Sequence, residues 1–167
     1  MTIAAAVLTI SDSAASGLRE DVSGPMLRQR LAQLGWATAV HEIVPDEPSA
    51  IAARVATLSA MKEISLVVTT GGTGVSARDV TPEAVRPIVD REIPGFGELM
   101  RSEGLKKTPL APLSRSFAGT LGTTLILCLP GSPKGAVESL DAVAHLIPHV
   151  TALLRGHTEH EDAKLKT

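Results

Sequence analysis

Four short segments of this 167-residue chain carry residues able to handle a phosphorylated ligand. Gly71-Gly72-Thr73-Gly74 directly follows an apolar run. Glycines there let backbone N–H groups approach a ligand closely, and successive N–H groups can form an anion-binding nest. Pro130-Gly131-Ser132-Pro133-Lys134 joins a small loop, a helix start and a lysine. A helix N-terminus carries about half a positive charge and unpaired N–H donors, which suits a phosphate. Asp46 and Asp79 stand in the other loops, with Ser11-Asp12-Ser13 as a fourth polar segment. Mg²⁺ typically takes one or two carboxylates plus substrate phosphates, so paired acids beside phosphate-cradling loops suit phosphoryl or nucleotidyl transfer.

Each segment also has a plain structural reading. Gly71 to Gly74 fits a tight turn, and Ser132 with Pro133 fits ordinary helix capping. Asp46 could cap a helix, and Asp79 could pair with Arg78 or close a turn. Gly72-Thr73-Gly74-Val75-Ser76-Ala77 matches the dinucleotide pattern G-x-G-x-x-A, but it follows a third strand and Pro82 delays the helix. No Gly-Lys-Ser/Thr follows the glycines, which excludes a Walker loop.

These loops gain meaning from the elements that must hold them. Residues 3–10, 36–44 and 64–70 read as strands, the first and third as buried runs without polar alternation. Ser23-Gly24-Pro25 opens a helix carrying Met26, Leu27, Leu31 and Leu34, and Asp46-Glu47-Pro48 opens one carrying Ile51, Val55 and Leu58. Thr81-Pro82-Glu83 starts another, which Pro87 should kink or stop early. Residues 95–106 read as helix, and Phe117 to Leu129 as two antiparallel strands joined around Gly122. A last helix from Ser132-Pro133 should break or bend at Pro148 before ending at Arg155-Gly156. Alternating strands and helices predict an α/β fold, a three-layer α/β/α sandwich with a mainly parallel sheet and an antiparallel edge pair. In such a sheet ligands bind beyond the C-terminal strand ends, where all four segments fall.

Composition bounds the rest. Residues 1–156 make one domain, and His157 to Thr167 reads as a polar, mobile tail. Hydrophobic residues are 44% and charged residues 20%, which excludes disorder, whereas aromatic residues are only 2%, which disfavours base-stacking nucleic-acid readers. Sixteen basic against eighteen acidic residues give a net charge of −2, so no nucleic acid partner is expected. The apolar N-terminus lacks the basic start of a signal peptide, and no run of about 18 apolar residues suggests a membrane span. A cytoplasmic location is the expectation. Cys128 lies inside an apolar run and reads as a core thiol. His145 and His149 are separated by Pro148 with no acid beside them, and Arg101, Lys106 and Lys107 read as a solvated helix face.

Thr69-Thr70-Gly71-Gly72-Thr73-Gly74, Arg78-Asp79-Val80-Thr81-Pro82-Glu83-Ala84 and Arg91-Glu92-Ile93-Pro94-Gly95-Phe96-Gly97 resemble the molybdopterin adenylyltransferases, the Mog/MoaB-type proteins similar to the N-terminal domain of gephyrin. Thr108 to Ser116 (Thr-Pro-Leu-Ala-Pro-Leu-Ser-Arg-Ser) and Leu129 to Lys134 extend the resemblance, which runs from about Ile3 to Arg155. It implies a homotrimer that transfers AMP from ATP to the terminal phosphate of molybdopterin with Mg²⁺, releases pyrophosphate, and hands its product to a molybdate-inserting enzyme. It places the acidic, metal-holding pair on Asp46 and Asp79 and a pterin-side serine on Ser114. Gly71, Gly72, Thr73, Gly74, Pro130, Gly131, Ser132 and Lys134 then fall to ATP and its phosphates, and Ser11, Asp12, Ser114, Arg115 and Ser116 to molybdopterin. A silent molybdopterin-binding or scaffold protein on the same framework is the rival reading. The intact acidic loop and Asp-Val-Thr-Pro segment favour the enzyme.

Overall fold

The computed structural model describes residues 3–156; Met1, Thr2 and the predicted tail from His157 onward lie outside the described residues. Six strands form one sheet in the order β2-β1-β3-β6-β5-β4. β1 (Ala4–Ile10), β2 (Ala37–Val44), β3 (Leu66–Thr70) and β6 (Thr124–Leu129) are mutually parallel. β5 (Phe117–Leu121) runs antiparallel to β6, and the turn between them uses Gly122 at φ 57°. The chain also adds β4 (Arg91–Glu92), a two-residue edge strand on β5 beyond the predicted antiparallel pair. Both its residues are exposed, so only pairing, not apolar alternation, marks it as a strand.

Alternation along the strands divides the core into two layers. Ala5 and Val7 of β1 join Leu27 and Leu31 of α2 (Ser23–Gln33), Phe96 and Met100 of α5 (Pro94–Leu105), and Leu140 of α6 (Pro133–Val143). Ala6, Leu8 and Ile10 join Ile51, Val55 and Leu58 of α3 (Pro48–Ser59) and Val85 of α4 (Thr81–Val85). Cover on both faces explains why β1 and β3 are apolar without alternation. Cys128 lies wholly within the second layer, and burial pushes its thiol up to about 12.

The prolines act as punctuation. α4 stops at Val85, where Pro87 forces a tight 3-10 turn over Arg86–Ile88. Pro148 does not bend a continuing helix: α6 ends at Val143, and Pro148 sits in the first turn of a separate helix, α7 (Ile147–Leu154), where its missing N–H costs nothing. Ser23 lies inside α2 rather than capping it. Asp21 does the capping, accepting the N–H of Gly24 at 3.0 Å.

Because β2 lies on one side of β1 and β3 on the other, all three parallel, the direction in which strands are added to the sheet switches at β1. A crevice opens beyond such a switch. Ser11 leaves β1 there and Gly71 leaves β3 there.

Candidate active site

A cavity of about 510 Å³ occupies that crevice, bounded by Ser11, Asp46, Gly71, Gly72, Asp79 and Ser132 among others. Its floor is two loops tied head to head. The N–H of Asp12 donates to Asp46 Oδ2 at 2.8 Å, and the N–H of Asp46 donates to Asp12 Oδ1 at 2.9 Å. Asp46 therefore does not cap α3, whose N-cap Glu47 makes no side-chain cap bond. Burial, and then the nearby negative charge of Asp79, hold the Asp46 carboxyl above its ordinary value. Asp79 in turn accepts the N–H of Ser76 at 2.8 Å, and Arg78 pairs with Asp12 rather than with its neighbour. Ser11 caps the short helix α1 (Asp12–Ala15), accepting from the N–H of Ala14 at 3.2 Å.

The glycine segment is held by its backbone. Gly71 has φ 109° and Gly72 φ 66°, and a Cβ on Gly71 would collide with the Ile10 carbonyl oxygen. The Gly71 N–H is spent on the Leu129 carbonyl (3.1 Å), and Thr81 Oγ1 donates to the Gly71 oxygen (2.8 Å). Any anion contact thus falls to the N–H groups further along the segment. A Cβ on Gly131 would lie 3.1 Å from Gly71 Cα, so the two small loops press together, and Thr70 Oγ1 locks them by donating to the Pro130 oxygen at 2.7 Å.

Across Ser132 lies a second cavity of about 620 Å³, bounded by Met100, Arg101, Lys107, Leu110, Ser114 and Ala142 among others. Ser132, whose hydroxyl accepts the Gly135 N–H at 3.1 Å to cap α6, borders both. Ser114 and Ser116 hydrogen-bond through their hydroxyls at 2.8 Å. Arg101 Nη1 donates to the carbonyl oxygens of Ser114 (3.3 Å) and Ser116 (2.8 Å).

The structure thus gathers Asp46, Asp79, Ser11, Gly71, Gly72, Gly131 and Ser132 at one cavity, and Ser114, Pro130 and Ser132 at the other. Asp12 stands behind the first cavity, on Asp46. Thr73 is buried, Gly74 abuts the Asp79 carboxylate, and Ser116 is buried beneath Ser114. Lys134 borders neither cavity; it is exposed and lies 3.8 Å from Glu138. Arg115 is a brace: Nε donates to the Gly74 oxygen (2.7 Å), Nη2 to the Asp79 oxygen (2.6 Å), and Nη1 pairs with Glu83, whose carboxyl it holds low.

Sequence reasoning missed two residues. Asp21 borders the smaller cavity, 7% exposed, accepting from Thr9 Oγ1 at 2.8 Å and lying 3.0 Å from His41 Nε2. Its signal was Gly24, a glycine in the first turn of a helix, where any Cβ would collide with Thr9, Asp21 and His41. Arg101, set aside as solvated, is partly buried beneath the Ser114 segment. Gly97, one helical turn earlier, marked the space: a Cβ there would meet Arg101 Nη2 at 2.9 Å.

Among known proteins, residues 6–149 match the family described as "Probable molybdopterin binding domain". The chain is 42% identical over 158 residues to the molybdopterin adenylyltransferase of Helicobacter pylori, covering 93% of this chain and 90% of that protein. It is 40% identical over 144 residues to the molybdopterin adenylyltransferase of Escherichia coli K12, covering 85% and 74%. The crystal structure of the molybdopterin biosynthesis enzyme MoaB from Thermus thermophilus superposes with a TM-score of 0.87 at 47% identity, covering 93% of this chain and 98% of that one.

Proposed function

Since the chain belongs to this molybdopterin-binding family, we propose that it works in molybdenum cofactor biosynthesis, transferring AMP from ATP to the terminal phosphate of molybdopterin. The bond from the α-phosphorus to the departing pyrophosphate breaks as a bond from that phosphorus to a molybdopterin phosphate oxygen forms. The observation that carries this reading is the placement of Asp46 and Asp79, neither ion-paired among the described residues, beside the Gly71–Gly72 turn at the sheet's switch point.

Those two acids fit a divalent cation. Their mutual repulsion and the burial of Asp46 make a bound positive charge favourable. No three ligating side chains converge among the described residues, so Asp46 and Asp79 would need phosphate oxygens and water to complete the shell, as Mg²⁺ prefers. Bound there, Mg²⁺ would neutralise the triphosphate and the charge that gathers on pyrophosphate. The chain's own residues supply alignment. Ser132 separates the two cavities and would sit where the two substrates' phosphates meet, with the pterin in the larger cavity beside Ser114. The attacking atom is already a phosphate oxygen, so positioning rather than a general base carries the rate.

A homotrimer fits the exposure of Leu105 on α5, of Leu113 on the 3-10 turn (Ala111–Leu113) packed near it and of Leu110 just before that turn, apolar surface that assembly would cover. Among the described residues no helix is long and apolar enough to cross a membrane. A cytoplasmic site of action, with delivery to a molybdate-inserting enzyme, completes the proposal. Pyrophosphate release from ATP, measured with and without Mg²⁺ and molybdopterin, tests it. Release requiring both is expected; turnover without pterin would indicate a nucleotide hydrolase, and pterin binding without release a silent binding protein.

A further inference from the structure

We propose that Arg101 and Lys107 hold the anionic group of the pterin substrate inside the larger cavity. The assignment rests on the function proposed above and on how the charges of that cavity are paired. Its three carboxylates are each matched by a cation that does not border the cavity: Glu103 by Lys106 (2.7 Å), Glu138 by Lys134 (3.8 Å) and Asp141 by Arg30 (2.6 Å). Its two cations have no carboxylate partner among the described residues. The cavity therefore presents two uncompensated positive charges beside apolar Met100, Leu110 and Ala142.

Arg101 is held in place rather than spent. Nη1 donates to the Ser114 and Ser116 carbonyls, which leaves Nε and Nη2 without a protein acceptor among the described residues. A guanidinium fixed on one side and open on the other offers donors in a fork suited to a phosphate or thiolate anion, and its flat face can lie against a heterocycle. Lys107, exposed, adds a second positive charge to the lining. Both phosphate and dithiolate of molybdopterin are anions, and the shared requirement is an anion attached to the pterin ring system.

The test is anaerobic calorimetry on the full chain with four ligands: molybdopterin, molybdopterin with its dithiolate alkylated, molybdopterin with its phosphate removed, and a pterin lacking both groups. Lys107→Met and Arg101→Met should each weaken molybdopterin binding about tenfold or more, the worth of a hydrogen bond to a charged group. Both should leave the uncharged pterin and a non-hydrolysable ATP analogue unaffected. Whichever modified ligand is insensitive to the variants identifies the anion the two cations hold. Wild-type affinity for molybdopterin in both variants would overturn the assignment, as would equal loss for the uncharged pterin. Lys107 is exposed and has no side-chain hydrogen bond or ion pair among the described residues, so its variant keeps the test decisive if Arg101→Met is poorly folded. A wild-type protein that ignores molybdopterin altogether would instead overturn the proposed function.

Discussion

The two cavities that meet at Ser132 contain similar numbers of charged residues and opposite surpluses. In the smaller, Glu20, Asp21, Asp46 and Asp79 face only Arg19 and Arg78, and Arg78 is drawn to Asp12. In the larger, Glu103, Glu138 and Asp141 are neutralised from outside, which leaves Arg101 and Lys107. The smaller is framed by backbone, with glycines at positive φ pressed against neighbouring loops; the larger is framed by side chains on α5 and α6. The contrast teaches that net composition does not describe a binding surface. What matters is which charges are already answered: an unanswered acid pair invites a cation, and unanswered bases invite an anion.

The comparison breaks most visibly at Asp79. Asp79→Asn should cut adenylylation more than about a hundredfold, on the order of 3 kcal/mol of lost transition-state stabilisation, and Asp46→Asn should act in the same direction. The amide oxygen can still accept from the Ser76 N–H, so the thermal midpoint should hold. Near-normal turnover with a lowered midpoint would reduce Asp79 to a turn residue worth about 1 kcal/mol. Pyrophosphate release and melting on the same samples separate these outcomes.

Backbone framing predicts a second asymmetry. Gly71→Ala should destabilise the fold by about 2 kcal/mol or more, since φ 109° and the Ile10 carbonyl both reject a side chain. Gly135→Ala, in α6 beside the larger cavity, would place its Cβ 3.2 Å from Ser132 Oγ and should change stability by less than about 1 kcal/mol. Denaturant melts of both variants check the difference.

Smaller effects should sort by side. Ser114→Ala should weaken molybdopterin binding a few-fold, about one neutral hydrogen bond, and leave ATP binding alone. Arg115→Ala should not sort in this way, because it releases the Gly74 and Asp79 carbonyls and so loosens the ATP side as well. Calorimetry with each ligand reads both.

The smallest expected change is a titration. Asp79→Asn removes one cause of the raised Asp46 pKa, so the Asp46 carboxyl should titrate lower, though still above the ordinary value because burial remains. Carbon-13 NMR of the carboxyl follows it. The linkage has a definite sign: a carboxyl raised on folding binds more protons when native, so its contribution to stability falls as pH rises from the ordinary value through the raised one. A cation, which needs the ionised form, should bind more tightly over that same interval.

Much of this was legible in the residues. Gly71 to Gly74 after an apolar run, Ser132-Pro133 at a helix start and Pro87 as an early stop are local signals, and the structure places each accordingly. Asp46 and Asp79 stand in loops after the second and third strands, which put both at the C-terminal edge of the sheet, where they lie. The charge surplus of the larger cavity was legible only in part: Glu103 with Lys106 and Glu138 with Lys134 are local pairs, whereas Asp141 is answered by Arg30, 111 positions away. Arg101 looked like any solvated helical arginine for the same reason, since the carbonyls it holds come from a different segment. β4 escaped because its two exposed residues carry no pattern at all.

The division of the site is tested most directly by locating the cation. With Mn²⁺ replacing Mg²⁺ and a non-hydrolysable ATP analogue bound, paramagnetic broadening in the amide NMR spectrum should centre on Asp12, Asp46, Gly72 and Asp79 and spare Arg101, Lys107 and Ala111. Broadening centred on Arg101 and Lys107, or absent from Asp46 and Asp79, would contradict the assignment of the cation to the acidic cavity.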